Sequence, residues 1–281
     1  MNRRMWWRNP VPWAVLALSL GTRPANVGEL PAAQTGADLR VERFVIYTQR
    51  SDASGGVTID VSGFVELRRR DTTSGPQLEC DTRFLVGAPG LESKRNEQRV
   101  VQVECPSGRG PRCVWRELGP GTGRSVQADW SADGGALEIT EWSPAAKRKG
   151  TLVAAAGATM PLYLMELLRG GQLAAGHVVV FDPLALTLAP LEVRTSWLDA
   201  AQRMGTEADV REAEAEPREA RTVELRRGDG TLAARYRFVG LELVAFQWQE
   251  GSMYARRMED AEFERLQAQH LVAVGGTRGT R

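Results

Sequence analysis

The chain has 281 residues, of which 42% are hydrophobic and 25% are charged, so it can bury a sizeable core in one large or two small domains. Its 36 lysines and arginines nearly balance its 35 aspartates and glutamates, for a net charge of +1. This balance argues against a dedicated nucleic-acid-binding protein, whose affinity comes largely from clustered basic residues.

Residues 1–21 have the features of a signal peptide. Arginines precede the apolar stretch Val11–Leu20, and the small residues Ser19 and Gly21 stand where a signal peptidase cuts. The stretch is too short for a membrane span, which needs about 20 residues. A frayed N-terminal tail and a short uncleaved anchor are the alternatives. Because no cysteine follows the stretch, we expect a periplasmic or secreted protein with neither a lipid anchor nor a stable membrane span.

A flexible leader is predicted over 22–38, which is rich in Pro, Ala, Gly and Thr, and a single β-rich domain over 39–272. The clearest strand has apolar residues at every second position, which predicts one buried and one solvated face. Those apolar residues are Val57, Ile59, Val61, Val65 and Leu67.

Further short strands follow, separated by Gly, Pro, Asp and Ser, and this regular punctuation predicts an antiparallel sheet, sandwich or barrel. The predicted strands are 77–86, 98–104, 113–117, 125–130, 136–142, 177–182, 190–197, 222–226, 231–239 and 241–248. Residues 227–230 are expected to form a hairpin turn. The glutamate-rich residues 205–221 are interpreted as a solvated charged insertion, and 273–281 as a disordered tail.

One apolar helix is predicted over 160–169, with Thr159 as its N-cap, Pro161 in its first turn and Gly170 at its end. Apolar side chains surround most of this helix, which predicts that it is packed inside the sheet. They are Leu162, Leu164, Met165, Leu167 and Leu168. A second, short helix is predicted over 259–270.

Three cysteines are present. Cys105 and Cys113 bracket a turn-rich loop between two strands, and we expect a disulfide between them, which an oxidising compartment permits. Pairing of Cys80 with Cys105, or three unpaired thiols, are the alternatives. The spacing does not fit a zinc site, and neither histidine lies nearby.

The sequence contains no motif for catalysis. Its two histidines, His177 and His270, do not neighbour a recognisable nucleophile, and both are interpreted as structural or surface residues. No serine-hydrolase, zinc-protease or phosphate-loop motif occurs. We therefore expect a non-enzymatic protein without a metal or cofactor.

Five of the eight tryptophans lie beyond the predicted signal peptide, nearly all of them in predicted strands. Aromatic residues in strands usually fill the core, but they also line sites for sugars and lipids. Trp142, Trp197 and Trp248 are the candidates for such a binding role.

The order of elements over residues 40–250 resembles bacterial extracytoplasmic half-barrel domains. These include the lipoprotein-localisation carriers and the domains of unknown function that precede secreted transglutaminase-like proteases. The segments that carry the resemblance are 137–142, 160–169, 178–183, 223–226 and 229–232. The cysteine, histidine and aspartate machinery of transglutaminases is absent, so no catalytic residue carries over.

The resemblance implies a mainly β fold, a curved antiparallel sheet or half-barrel around one short apolar helix, with minor α structure at the C-terminus. It also implies a periplasmic or cell-envelope protein that binds a lipid, a lipoprotein or an envelope polymer. In that role the apolar residues of the predicted helix are either a core plug or the surface that meets an acyl chain. The alternative is a structural or interaction module that docks another envelope protein through a sheet edge.

Overall fold

A computed structural model describes residues 39–51, 55–86, 96–107, 110–118, 123–155, 157–197, 220–248 and 253–271. All of them belong to one compact unit. The predicted signal peptide (1–21), leader (22–38) and tail (273–281) lie outside the described residues, as does the charged insertion up to residue 219. The insertion was expected to reach residue 221, but a strand already begins at Ala220.

The fold is mainly β and consists of one open curved sheet, to which the described residues contribute fifteen strands. The strands are β1 (Leu39–Ser51), β2 (Val57–Thr72), β3 (Gly75–Val86), β4 (Asn96–Ser107), β5 (Gly110–Leu118), β6 (Ser125–Trp130), β7 (Ala136–Trp142), β8 (Lys147–Val153), β9 (Ala158–Thr159), β10 (Gly176–Asp182), β11 (Thr187–Trp197), β12 (Ala220–Arg226), β13 (Leu232–Val239), β14 (Glu242–Trp248) and β15 (Met253–Arg257). Two helices accompany them, α1 (Pro161–Arg169) and α2 (Asp260–Leu271).

The strand order is simple. Strands β1 to β8 follow one another outward from the middle of the sheet, and β9 begins the other edge. Strands β10 to β15 then return inward until β15 pairs with β1. Neighbouring strands are antiparallel except for β9 and β10, which run parallel. The sheet therefore has two edges, β8 and β9, within the described part of the chain.

The two helices cover opposite faces of the sheet. Phe44 and Val65 pack in the cluster that contains α1, whereas their chain neighbours Val45 and Phe64 pack against Phe263 of α2. Because successive strand residues point to opposite faces, α1 and α2 lie on different sides. We call the side that holds α1 the inner face.

The alternating strand predicted over 57–67 forms β2, but its burial differs from the simple pattern. Val57 and Ile59 are 55% and 45% exposed. Further along, Phe64 and Val65 are both buried, since the sheet is covered on two faces there. The register between β1 and β2 also shifts between Ile46 and Tyr47, which changes the face that each following residue presents.

Strands β8, β9 and β15 were not predicted from the sequence, and the apolar helix begins one residue later than predicted. Met160 is the N-cap of α1, and Thr159 lies in β9. The N-cap prediction for Thr159 is therefore wrong, and the cap that α1 does have comes from another strand. Within the described ranges, no helix is both long and apolar enough to cross a membrane.

Candidate functional site

The N-terminus of α1 is capped by a glutamate from β4. The fully buried Glu104 accepts the backbone N–H of Leu162 at 3.0 Å and that of Tyr163 at 2.9 Å. Gln102, two positions back on the same strand, donates its side-chain amide to the same carboxylate at 2.5 Å. Because the first N–H groups of a helix have no partner inside it, Glu104 replaces the side-chain cap that Met160 cannot provide.

The environment of Glu104 changes its acidity. Burial raises the pKa of its carboxyl from 4.5 to about 7, although the two backbone N–H groups and the Gln102 amide oppose the rise. Desolvation dominates because an ionised carboxylate loses its hydration inside the sheet. Glu104 therefore titrates near neutral pH at the point where β4 holds the helix.

The C-terminus of α1 is held by an arginine and an ion pair. Arg221 of β12 donates to the backbone carbonyls of Leu168, at 2.8 Å, and of Arg169. The side chain of Arg169 is 8% exposed and forms a bidentate pair with Glu42 of β1, at 2.6 and 3.3 Å. Glu42 also meets the more exposed Arg40 at 2.8 Å.

The charges at the two ends of α1 match its dipole. A helix carries partial positive charge at its N-terminus and partial negative charge at its C-terminus. Glu104 lies at the first and Arg221 at the second. Two further contacts hold the side of the helix, from Arg69 to Glu166 and from the Tyr163 hydroxyl to the carbonyl of Pro76, the latter at 2.6 Å. We call this set of contacts the helix clamp.

The apolar side chains of α1 form part of the core. Leu162, Leu164, Met165 and Leu168 are all at most 8% exposed, and Leu167 is half-buried. Three of them pack in the main hydrophobic cluster with side chains from strands on both halves of the sheet. These side chains therefore pack as a core plug.

A shallow pocket opens beside α1. It is lined by apolar side chains, among them Leu78 and Leu162, and by charged side chains of the helix clamp. The space it offers to a water-sized molecule is about 20 Å³, roughly what one water molecule needs. An acyl chain requires a much larger cavity.

The three candidate tryptophans do not meet at a single site. Trp142 is half-buried at the end of β7, with the Lys147 ammonium 5.3 Å from its ring centre. Trp197 is 66% exposed at the end of β11. Trp248 packs against the main core, with its ring edge-to-face on Phe246 at 4.6 Å.

The expected Cys105–Cys113 disulfide is not formed, and all three cysteines are free thiols. The register explains this, because Cys113 lies opposite Glu104 and Cys105 lies opposite Arg112. A one-residue offset sends the two thiols to opposite faces of the sheet. Cys80 faces Gln102 across the β3–β4 ladder and shares the inner face with Cys113, so it cannot pair with Cys105 either.

Sequence reasoning missed the polar residues of the helix clamp. Glu42 has the same parity as Phe44 on β1, and Glu104 has the same parity as Val100 on β4, so both stand at inward-facing positions. A charged residue in an inward-facing series is the signal that marks a buried polar contact. Among the described residues, no group of three or more His, Cys, Asp or Glu side chains is placed to hold a metal ion.

A second candidate site is the edge strand β8, whose outer side has no strand partner in the part of the chain that the structure describes. Ser143 and Ala146 close the β7–β8 hairpin with N–H···O bonds in both directions, at 2.9 and 3.3 Å. In an antiparallel ladder such pairs recur at every second position. The residues whose backbone N–H and C=O groups point away from β7 are therefore Lys147, Lys149, Thr151 and Val153. We call these four residues the free edge.

Comparison with known proteins identifies no family for the chain. No protein-family model matches the chain, and no curated protein matches it. Among solved structures, the chain is similar to a β-barrel-like protein of a domain of unknown function, DUF1849, from Brucella abortus. The sequence identity is 14%, the TM-score is 0.48, and the match covers 78% of this chain and 96% of that one.

Proposed function

We propose that this chain is an exported, non-enzymatic protein of the cell envelope that works as an interaction module, docking another envelope protein through its surface. Of the two roles considered, carrier and docking module, the packed interior favours the second. The observation that carries the proposal is the helix clamp, which holds α1 at both ends as a plug of the inner face.

A carrier of lipid or lipoprotein acyl chains needs α1 either to leave space beside it or to move. The pocket beside α1 has room for about one water molecule. Moving the helix would break the buried pair of Arg169 with Glu42 and uncover two backbone N–H groups at Glu104. Each such loss costs about 1–5 kcal/mol, which an apolar ligand would have to offset.

Strand β8 supplies a surface that suits docking. It is seven residues long, and along its free edge the N–H and C=O groups pair with no strand among the described residues, which is the kind of edge to which another chain can add a strand. Its side chains are exposed except Leu152, which packs on the core beneath. An anchored strand with an open edge is a rigid template for a partner.

Two experiments test this function. Protein purified from its own host is examined by native mass spectrometry, where we expect the mass of the protein without lipid. A photo-crosslinking amino acid is then placed at exposed positions on both strand edges and on α2, and the adducts formed in living cells are identified. We expect adducts with envelope proteins. Stoichiometric bound lipid would overturn the docking role in favour of a carrier.

Export is tested separately. Residues 1–38 are fused to a reporter enzyme that is active only outside the cytoplasm, with a second fusion in which the three arginines before Trp13 are replaced by glutamate. We expect activity from the first fusion and a strong loss from the second, because a positive n-region is part of a signal peptide. If the first fusion shows no reporter activity, the proposed location is excluded.

A further inference from the structure

The side chains of β8 give its free edge a distinct chemical character. Lys147, Arg148 and Lys149 are consecutive and exposed, so the first half of the strand is strongly basic. The second half carries Thr151 and the apolar Val153, which is 85% exposed. A strand next to β8 therefore meets positive charge at one end and a β-branched, apolar surface at the other.

The two lysines share the outer face of the sheet. Leu152 of β8 and its β7 neighbours Leu137 and Ile139 point to the core, so the alternate residues of β8 point outward. The side chains of Lys147 and Lys149 therefore stand in a row along the free edge. In an added antiparallel strand, the side chains directly opposite them would be about 4.5–5.5 Å away at Cβ.

The same charges decide between two kinds of occupant. A second copy of this chain that added its own β8 antiparallel would place Thr151 and Val153 opposite the lysines, so the charges of both lysines would stay unpaired. It would also bring three more basic side chains to the same edge, where like charges repel. An acidic strand would place carboxylates beside the lysines. The other edge, β9, has only two residues and is too short to serve as a comparable template.

We propose that β8 binds an extended acidic segment of a partner protein by strand addition. This inference rests on the proposed docking function and names the partner's chemistry. The partner strand runs antiparallel to β8, which is the more stable pairing. Its acidic residues, two positions apart, lie opposite Lys147 and Lys149, and its preceding apolar or β-branched residues lie opposite Thr151 and Val153.

The probe is a capped peptide of about seven residues with the order valine, serine, threonine, serine, glutamate, serine, glutamate. Its valine, threonine and two glutamates each lie opposite one residue of the free edge. Two matched peptides accompany it. One carries lysine in place of both glutamates, and the other keeps the glutamates but has methylated backbone nitrogens opposite β8. Binding to the full chain is measured by fluorescence anisotropy, and hydrogen exchange locates the contact.

We expect the acidic peptide to bind, to protect the amides of Lys149 and Thr151 from exchange, and to bind more weakly as salt is raised. Both matched peptides should bind at least about tenfold more weakly, a difference of about 1.4 kcal/mol. Equal binding of the lysine peptide would overturn the acidic partner. Equal binding of the methylated peptide would overturn strand addition.

Variants of the chain give an independent test. The double substitution Lys147→Glu with Lys149→Glu should weaken the acidic peptide by about tenfold and strengthen the lysine peptide. Thr151→Pro should abolish binding while the protein stays folded, because the N–H it removes points away from β7. Arg194→Glu, on an exposed position of β11, is the control and should leave binding unchanged.

Two other outcomes overturn the proposal. Dimers that disappear in the Thr151→Pro variant would make a second copy the occupant. Failure of the acidic peptide to bind, together with in-cell crosslinks only from other surfaces, would remove β8 as the site and leave the docking function itself standing. Failure of the docking function would show instead as bound lipid without protein adducts.

Discussion

The carboxylate of Glu104 accepts the backbone N–H of Leu162 at 3.0 Å, so that a strand residue caps a helix 58 positions further along the chain. The contact joins the middle of β4 to the first turn of α1 and leaves Glu104 without exposure to solvent. It therefore links the position of the helix to the protonation of one carboxyl group.

The first prediction concerns the pH dependence of stability. The pKa of Glu104 is about 7 in the folded protein against 4.5 without burial. Between these values the folded state holds a proton that the unfolded state has lost, so this group's contribution to the free energy of unfolding falls as pH rises. The shift corresponds to about 3 kcal/mol.

The measurement is urea unfolding of the natural protein and of Glu104→Gln from about pH 5 to about pH 8. The variant has no titrating group at this position. We expect the natural protein to lose its advantage over the variant as pH rises, by up to about 3 kcal/mol across the range. Glu138→Gln, at an exposed position of β7, is the control and should show no such trend. A constant difference between the curves would contradict the prediction.

The second prediction concerns the buried pair of Glu42 and Arg169. Among the described residues, Arg169→Met leaves the buried Glu42 with Arg40 as its ion-pair partner, and Arg40 is 44% exposed. Removing one partner of a buried pair costs about 3–5 kcal/mol, and Arg40 should keep the loss near the lower value. The double variant Glu42→Met with Arg169→Met should recover much of that stability, because no uncompensated charge remains.

The exposed pair of Glu192 and Arg194 is the matched control, since Arg194→Met should leave the free energy of unfolding nearly unchanged. Urea unfolding of all the variants supplies the comparison. A double variant less stable than Arg169→Met would mean that the ion pair stabilises the fold by more than the desolvation of its two charges costs.

Much of the sheet was predictable from the sequence, because local alternation and turn residues decide it. The bounds of β6 and β7 agree with the predicted 125–130 and 136–142. The turn at 227–230 also forms as expected, with Asp229 accepting the N–H of Thr231 at 2.9 Å. Strand β8 was missed because an edge strand is exposed on most sides and so lacks the apolar alternation that marks a buried face.

The helix clamp was not predictable, because its contacts join residues far apart in the chain. The sequence around α1 offered Thr159 as a cap, whereas the observed cap is Glu104. Likewise, Cys105 and Cys113 flank a turn, but only the register shows that their side chains point apart. In both cases the pairing of strands decides which side chains meet, and a local pattern does not contain that pairing.

The third prediction concerns the thiols. Burial raises the pKa of Cys80 to about 12 and that of Cys113 well above 9, so both stay protonated at neutral pH. Cys80 and Cys105 are both half-buried, and burial raises the pKa of Cys105 too, but there the Arg112 guanidinium opposes the rise. In the folded protein an alkylating reagent should therefore modify Cys105 first, Cys80 more slowly because so little of it is ionised, and Cys113 only after unfolding.

Mass spectrometry of the labelled protein measures the order of reaction, and Cys105→Ser should remove most of the labelling of the folded state. Adding a reductant should leave the thermal midpoint unchanged, because the cysteines are not bonded. A purified protein whose mass is lower by two hydrogens and which reacts at a single thiol after unfolding would contradict the observed register.

The fourth prediction concerns Gly63, where β2 passes close to β3. A Cβ atom at this position would lie 2.4 Å from the backbone oxygen of Arg83 and 3.0 Å from Cδ1 of Ile46. The backbone oxygen belongs to the strand ladder and cannot move without loss of pairing. Gly63→Ala should therefore lower the free energy of unfolding by about 1–3 kcal/mol, as overpacking of a core does.

Gly150 on β8 is the matched control, because a Cβ there meets nothing within 4 Å. Gly150→Ala should be neutral or should stabilise the protein by about 0.4–1 kcal/mol, since it restricts the unfolded chain. Urea unfolding of the two single variants measures the contrast. If both substitutions change the free energy of unfolding equally, β2 and β3 can separate at Gly63 at little cost. The close approach there would then not require glycine.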